Sequence, residues 1–136
     1  MRYSLRRPVH VPTTGGREQR GAAAVEFLMI APVLMLLTLL TVQWAVRLEA
    51  QRAVDAAARE GAVAAARWDG DAAQGRSTAL DYLAALVPQL TGPSAQVTRD
   101  AREARATVRG EVISLIPGVE LTVTATASAP VERFVE

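Results

Sequence analysis

One carboxylate stands at the beginning of the longest uncharged stretch of the chain. Residues 20–27 read RGAAAVEF, so Glu26 follows small or apolar residues and precedes an aromatic one. An acidic side chain at the centre of a membrane helix costs about 2.5 to 3.5 kcal/mol on insertion scales, and less at the interface. Two explanations fit Glu26: the helix macrodipole, if it lies in the first turn, or a functional partner of opposite charge.

Other residue types that carry catalysis or bind metals are scarce. The chain contains no cysteine and no lysine, which excludes disulfides, thiol redox chemistry, thiolate metal sites and lysine Schiff bases. His10 is the single histidine, and Asp69 and Asp71 flank a glycine, a pattern more typical of a turn than of a calcium site. We therefore expect no enzyme activity, no catalytic residues, no metal, no cofactor and no small-molecule substrate.

The arginines are distributed unevenly along the chain. Residues 1–21 carry five of them against one glutamate, although the net charge of the whole chain is only +1. The arginines at 99, 102, 105 and 109 are interleaved with acidic residues and have no aromatic residues between them. Nucleic acid is therefore not an expected partner.

Residues 27–46, the apolar segment, predict a transmembrane helix. They carry no charge, and twenty residues at 1.5 Å per residue cover a hydrocarbon layer of roughly 30 Å. A secretory signal is the alternative, but its apolar core is about 7 to 15 residues long, and the residues around Trp44 are a poor cleavage site. The arginines favour a cytoplasmic N-terminus. We therefore expect a single-pass protein of the cell (plasma) membrane with an extracytoplasmic C-terminal part.

The elements around this segment predict an α+β fold. Residues 1–21 predict a basic, disordered cytoplasmic leader, and residues 22–46 contain the transmembrane helix. The alanine-rich residues 47–69 continue the helix as a stalk. A strip of small side chains at i+4 spacing on this stalk permits close approach of another helix, and it consists of Ala53, Ala57, Gly61 and Ala65.

Residues 70–136 predict a small extracytoplasmic domain. An amphipathic helix is expected over residues 77–90, with Ser77 as its N-cap. Residues 104–112 and 119–129 alternate between apolar and polar side chains, which predicts an antiparallel pair of strands with the apolar face towards the helix. A shorter third strand is expected over residues 96–99, after a break at residues 91–93.

The residues around Glu26 resemble the processing site of type IV pilins and pseudopilins. Among these proteins the chain is most similar to the TadE-like family of the tight-adherence pilus system. Basic residues, a glycine, four small or apolar residues, a glutamate and an aromatic at the head of an apolar helix carry the resemblance, and residues 31–34 and 124–134 add to it. Phe27 departs from the family pattern, in which tyrosine is more common.

This resemblance implies how the chain is processed and assembled. A membrane prepilin peptidase, an aspartic protease, would cut after Gly21 and leave Ala22 as the new N-terminus. Glu26 and Phe27 would then serve subunit assembly, with the carboxylate pairing with the new amine of a neighbouring subunit in lipid. Pro32 removes a backbone donor, and we expect a helix kink there.

Two functions are consistent with the sequence. The first is a pseudopilin-like structural or assembly subunit of a tight-adherence (type IVb) pilus at the cell surface. Its partners would be membrane lipids, the prepilin peptidase, other pilin-like subunits and the pilus assembly machinery. The second is a membrane-anchored extracytoplasmic binding module that is not processed, and the mature N-terminus distinguishes the two.

Overall fold

A computed structural model describes the backbone of residues 15–132, with the side chains of residue 21 and residues 23–132. The chain divides into two compact units, Met1–Thr38 and Leu39–Glu136. The elements in chain order are α1 Gly15–Ala66, α2 Ala72–Leu86, β1 Thr91–Arg99, β2 Glu103–Val112 and β3 Leu121–Pro130. The predicted α+β class, with a long apolar helix, a second helix and a small antiparallel sheet, is confirmed.

Helix α1 begins before the apolar segment. The sequence predicts disorder up to residue 21, but residues 15–21 form the first turns of α1. The arginine, glutamate and glutamine residues at positions 17–20 are good helix formers, and extending an existing helix avoids the cost of nucleation. The remainder of the predicted leader, residues 1–14, lies outside the described residues.

The last third of α1 supplies core residues to the unit Leu39–Glu136. The strip of small side chains predicted on the stalk is buried in full. At Gly61 a Cβ atom would lie 2.8 Å from the Cβ of Ala79 on α2 and 3.5 Å from the Cβ of Ala106 on β2. Residues 47–69 thus contain a helix face that is packed within this unit.

The two helices are in close contact at a pair of glycines. A Cβ atom on Gly75 of α2 would lie 2.6 Å from the carbonyl oxygen of Gly61 and 2.7 Å from the Cβ of Ala65. Real Cβ atoms do not tolerate such distances because protein interiors are close-packed. A side chain at either position would collide with the other helix, so both positions require glycine.

Helix α2 begins and ends earlier than the sequence predicts, because it covers Ala72–Leu86 instead of residues 77–90. Its N-cap is Asp71, whose Oδ1 accepts a hydrogen bond from the backbone N–H of Gln74 at 2.7 Å. The prediction that Ser77 caps the helix is wrong, because its hydroxyl lies inside the helix and donates to the carbonyl of Gln74 at 3.0 Å. Gly75 interrupts the amphipathic pattern in this first part of α2, and glycine disfavours a helix. Its presence in the helix is explained by the close packing against α1.

The sheet has the strand order β1-β2-β3 with both pairs antiparallel. The predicted pairing of β2 and β3 is confirmed, with Glu103 opposite Pro130 and Val112 opposite Leu121. The alternating apolar side chains of β2 are buried, as predicted, and on β3 those of Val123, Ala125 and Ala129 are buried and those of Leu121 and Ala127 half-buried. The prediction that this strand begins at Val119 with its side chain on the buried face is wrong, because Val119 precedes β3 and is 41% exposed. The core also contains larger side chains, and the largest that are fully buried are Val54, Leu83, Val108 and Val123.

The third predicted strand, β1, is longer than expected. It begins at Thr91, so the predicted break at residues 91–93 lies inside it. The irregularity that the sequence indicates is present as a register shift between Thr91 and Ser94. Gly92 has a φ of +58°, a conformation that glycine adopts at little cost. The glycine therefore produces an irregularity within β1, and the strand does not end there.

The turn between β1 and β2 is closed by Asp100. Its Oδ1 accepts hydrogen bonds from the backbone N–H groups of Arg102 at 2.7 Å and Glu103 at 2.8 Å. These two bonds favour the charged carboxylate and lower the pKa of Asp100 below its usual value. An aspartate at this position thus compensates for backbone donors that the strands leave unpaired.

Candidate functional site

The implied cleavage position lies on an accessible part of α1. Gly21 is exposed, and among the described atoms outside its own stretch of helix backbone none lies within 4 Å of the position that a Cβ atom would take. Gly21 and Ala22 both have helical backbone, and the side chain of Ala22 lies outside the described ones. A protease cleft that takes an extended chain requires this segment to leave the helix. A glycine inside a helix costs about 1 kcal/mol relative to alanine, which makes that local opening easier.

Glu26 is exposed and lies well inside the helix. It is about three turns from Gly15, where α1 begins. The stabilisation of a carboxylate by the macrodipole falls off within the first turn, so this explanation does not apply to the uncut chain. Residues four apart share a helix face, which places Glu26 on the same side as Ala22 and about 6 Å further along the axis.

Phe27 begins a surface of exposed apolar side chains that surrounds α1. Phe27 itself is 67% exposed, and from there to Val46 every side chain is exposed except those of Ala31, which is half-buried, and Gln43. Among the described residues, one helix, over Ala23–Ala66, is apolar and long enough to cross a membrane. A helix that is apolar on all sides is suited to lipid or to other apolar helices.

Pro32 lies inside α1, and the helix continues on both sides of it. Proline has no N–H, so the carbonyl of Leu28 loses its usual helical donor. The hydroxyl of Thr38 donates to the carbonyl of Leu34 at 2.8 Å, a bond that often bends helices. The kink at Pro32 stays a prediction.

Gln43 is a polar residue of the apolar segment whose role sequence reasoning missed. It is 7% exposed, and its Oε1 accepts a hydrogen bond of 2.6 Å from the backbone N–H of Leu115. Its Nε2 is buried with no hydrogen-bond partner among the described residues. A glutamine in an otherwise apolar stretch indicates a polar contact. The partner could not be predicted, because it lies 72 residues further along the chain.

Trp44 and Arg47 lie together near the end of the apolar segment. The guanidinium carbon of Arg47 is 5.8 Å from the centre of the exposed Trp44 ring, within the range of a cation–π contact. Tryptophan and a long cationic side chain are the residue types that favour the boundary between hydrocarbon and water. Their position agrees with a membrane boundary close to Val46.

Asp69 and Asp71, the carboxylates that flank Gly70, lie at the junction of α1 and α2. Asp71 caps α2, and Asp69 lies exposed in the turn that follows α1. Within the described residues, no group of three or more histidine, cysteine, aspartate or glutamate side chains is arranged to hold a metal ion. His10 lies outside these residues.

The exposed apolar helix with a carboxylate near its head lies in a segment that matches a known protein family. Residues 21–63 match the TadE-like protein family. The resemblance inferred from the sequence is thereby confirmed. The TadE-like segment begins at Gly21 and contains Glu26, Phe27, Pro32 and Gln43, but it covers less than half of the chain. The resemblance of residues 124–134 lies outside it, and no curated protein or solved structure was found to match the chain.

Proposed function

We propose that this chain is a pilin-like structural or assembly subunit of a tight-adherence (type IVb) pilus. In this proposal α1 inserts it in the cell membrane, and a prepilin peptidase cuts it after Gly21. The observation that carries the proposal is the TadE-like segment, which begins at Gly21 and continues along an exposed apolar helix. Such a surface serves a subunit that exchanges lipid neighbours for the helices of other subunits.

The arginines before the apolar segment support a cytoplasmic N-terminus. The cleavage position would then face the cytoplasmic side of the membrane, and the residues after the apolar segment, 47–136, would be extracytoplasmic. The partners in this arrangement are membrane lipids, the prepilin peptidase, other pilin-like subunits and the assembly machinery. The subunit itself has no catalytic role.

Cutting after Gly21 would create the group that Glu26 requires. The new amine on Ala22 is cationic, and it forms at the head of a helix in which, up to Val46, Glu26 is the one charged side chain. Opposite unit charges 4 Å apart attract by about 4 kcal/mol at an effective dielectric constant of 20, several times the value of a carboxylate in a helix dipole. The exposed Glu26 of one subunit can therefore select the cut N-terminus of its neighbour over an uncut chain.

The alternative is an uncut, membrane-anchored binding module. It uses the same apolar helix, but it gives no role to a small residue at position 21 or to an amine on Ala22. Processing therefore separates the two functions.

Substitution of Gly21 tests the proposal. Gly21→Leu should block processing, because the protease cleft must accept the residue before the cut, and the precursor should stay in the membrane with residues 1–21 attached. Gly21→Ala is the matched control, since it adds only a methyl group to the residue before the cut, and it should still be cut. Gel mobility in cells with an active prepilin peptidase is the measurement. Equal mobility of Gly21→Leu and the wild-type chain would contradict the proposal.

A further inference from the structure

The loop between β2 and β3 presents apolar side chains to the outside of the unit Leu39–Glu136. Ile113 is 60% exposed, Leu115 is 46% exposed and Val119 is 41% exposed. Residues 112–119 carry no charge, and the acidic residues Glu111 and Glu120 flank them on either side. Scattered exposed apolar residues are ordinary, but several within one short uncharged loop form a patch.

This loop is attached to α1 at the level of the apolar segment. The backbone N–H of Leu115 donates to Oε1 of Gln43, and the glutamine is buried by this contact. Gln43 lies three residues before Val46, the last residue of the apolar segment, or about 4.5 Å along the helix axis. If the apolar segment spans the hydrocarbon layer, the centre of the loop lies at the boundary between hydrocarbon and headgroups.

Three backbone N–H groups of the loop are already hydrogen-bonded within the protein. Besides Leu115, the N–H of Ile116 donates to the hydroxyl of Ser114 at 3.1 Å, and the N–H of Val119 donates to the carbonyl of Ile116 at 3.3 Å. Pro117 has no N–H to satisfy. Unpaired backbone groups make transfer of a loop out of water expensive, and these bonds lower that cost.

From these observations we propose that residues 113–119 insert their apolar side chains into the membrane interface beside Gln43, near the end of the apolar segment. The proposed ligand is the lipid bilayer, because the loop adjoins the exposed apolar side chains of the same unit around Gln43. The Trp44–Arg47 pair, whose residue types favour the membrane boundary, lies next to Gln43 along the helix. The loop and α1 together give the unit two attachment points, which restrict its tilt and rotation on the membrane surface. This inference rests on the membrane insertion in the proposed function.

Fluorescence quenching by lipid tests the proposal. The chain has no cysteine, so a single introduced cysteine reports on one position. The full-length variants Leu115→Cys, Leu34→Cys and Ala73→Cys would each carry an environment-sensitive dye and be reconstituted into vesicles of phosphatidylcholine and phosphatidylglycerol. Ala73 is the matched control, because it is exposed in the first turn of α2, about 20 Å along that helix from the end that lies near Ile113.

We expect lipid that carries a spin label near the headgroup to remove at least half of the dye emission at position 115 and to leave position 73 nearly unchanged. Strong quenching at position 34 by deep spin labels without quenching at position 115 would overturn the loop inference and leave membrane insertion intact. Absence of quenching at position 34 would instead contradict the membrane insertion of the proposed function. A blue-shifted but unquenched dye at position 115 would show that a protein surface covers the loop, which also overturns the inference.

Discussion

At the scale of single residues, Glu26 is the position whose chemistry depends most on its surroundings. The residues between it and the end of the apolar segment carry no charge, and its side chain is exposed about three turns into α1. In water such a carboxylate needs no partner. In a bilayer it is poorly solvated, and a cationic partner such as the amine on a cut Ala22 gains in value as the dielectric constant falls.

Glu26→Ala should therefore separate cleavage from assembly. The substitution leaves Gly21 and the helical backbone unchanged, so processing should continue, but the amine of the neighbouring subunit loses its partner and pilus formation should fall strongly. Glu60→Ala is the matched control, because Glu60 is an exposed glutamate further along the same helix. Surface pilus counts beside gel mobility are the measurement, and normal pili with Glu26→Ala would show that the carboxylate has no role in assembly.

The role of a residue was predictable from the sequence where neighbouring residues determine that role. The unusual position of Glu26 is visible because a charge interrupts an apolar pattern. Asp71 and Gln43 were missed for different reasons. The sequence predicts a turn at Asp71, and a turn and an N-cap use the same local hydrogen bonding, so the residue type does not distinguish them. The partner of Gln43 is distant in sequence, and only the fold brings the loop of Leu115 to it.

At the scale of elements, the unit Leu39–Glu136 depends on the close approach of α1 and α2. The approach exists because Gly61 and Gly75 face each other and alanines surround them. The strip of small residues on α1 was predictable from its i+4 spacing, but its partner was not. The spacing permits packing against a helix of a neighbouring subunit as readily as against α2. The first part of α2 is also hard to recognise in the sequence, because it contains a glycine.

Gly61→Ala should destabilise this unit by about 1 to 3 kcal/mol, the usual cost of overpacking a well-packed core. The new Cβ would lie 2.8 Å from the Cβ of Ala79 and 2.9 Å from the carbonyl oxygen of Gly75, and neither atom belongs to a flexible side chain. Gly21→Ala makes the same change in the same helix, at a position where no described atom outside the local helix backbone lies within 4 Å, so it should cost no stability. Thermal unfolding of the two variants in detergent compares them, and equal midpoints would show that the helices do not meet as described.

Strands were predictable to the extent that burial alternates along them. On β2 and β3 one face packs against the helices, and the apolar positions alternate with polar ones in the sequence. On β1 the first four residues are all exposed, so their sequence carries no such alternation. The glycine in this part then resembles a break, although hydrogen bonding to β2 keeps the chain extended through a register shift.

At the scale of the whole molecule, the distribution of arginine predicts the orientation in the membrane. A reporter fused after Glu136 should be active only outside the cytoplasm, because positively charged residues before a first span are retained inside. Two reporters with opposite compartment requirements, such as an alkaline phosphatase and a fluorescent protein that folds only in the cytoplasm, provide the control. Activity of the cytoplasmic reporter alone would contradict the proposed topology and the pilin-like function with it.

The central claim is that residues 1–21 are removed when the chain enters the pilus system, and the mass of the mature protein tests it most directly. Intact mass spectrometry of the membrane-extracted wild-type chain, from cells that contain an active prepilin peptidase, should show a protein that begins at Ala22. Cells without the peptidase should show the full chain of 14.5 kDa. If the wild-type protein keeps Met1 to Gly21 in the presence of the active peptidase, the pilin-like function is wrong and the chain is an unprocessed membrane-anchored module.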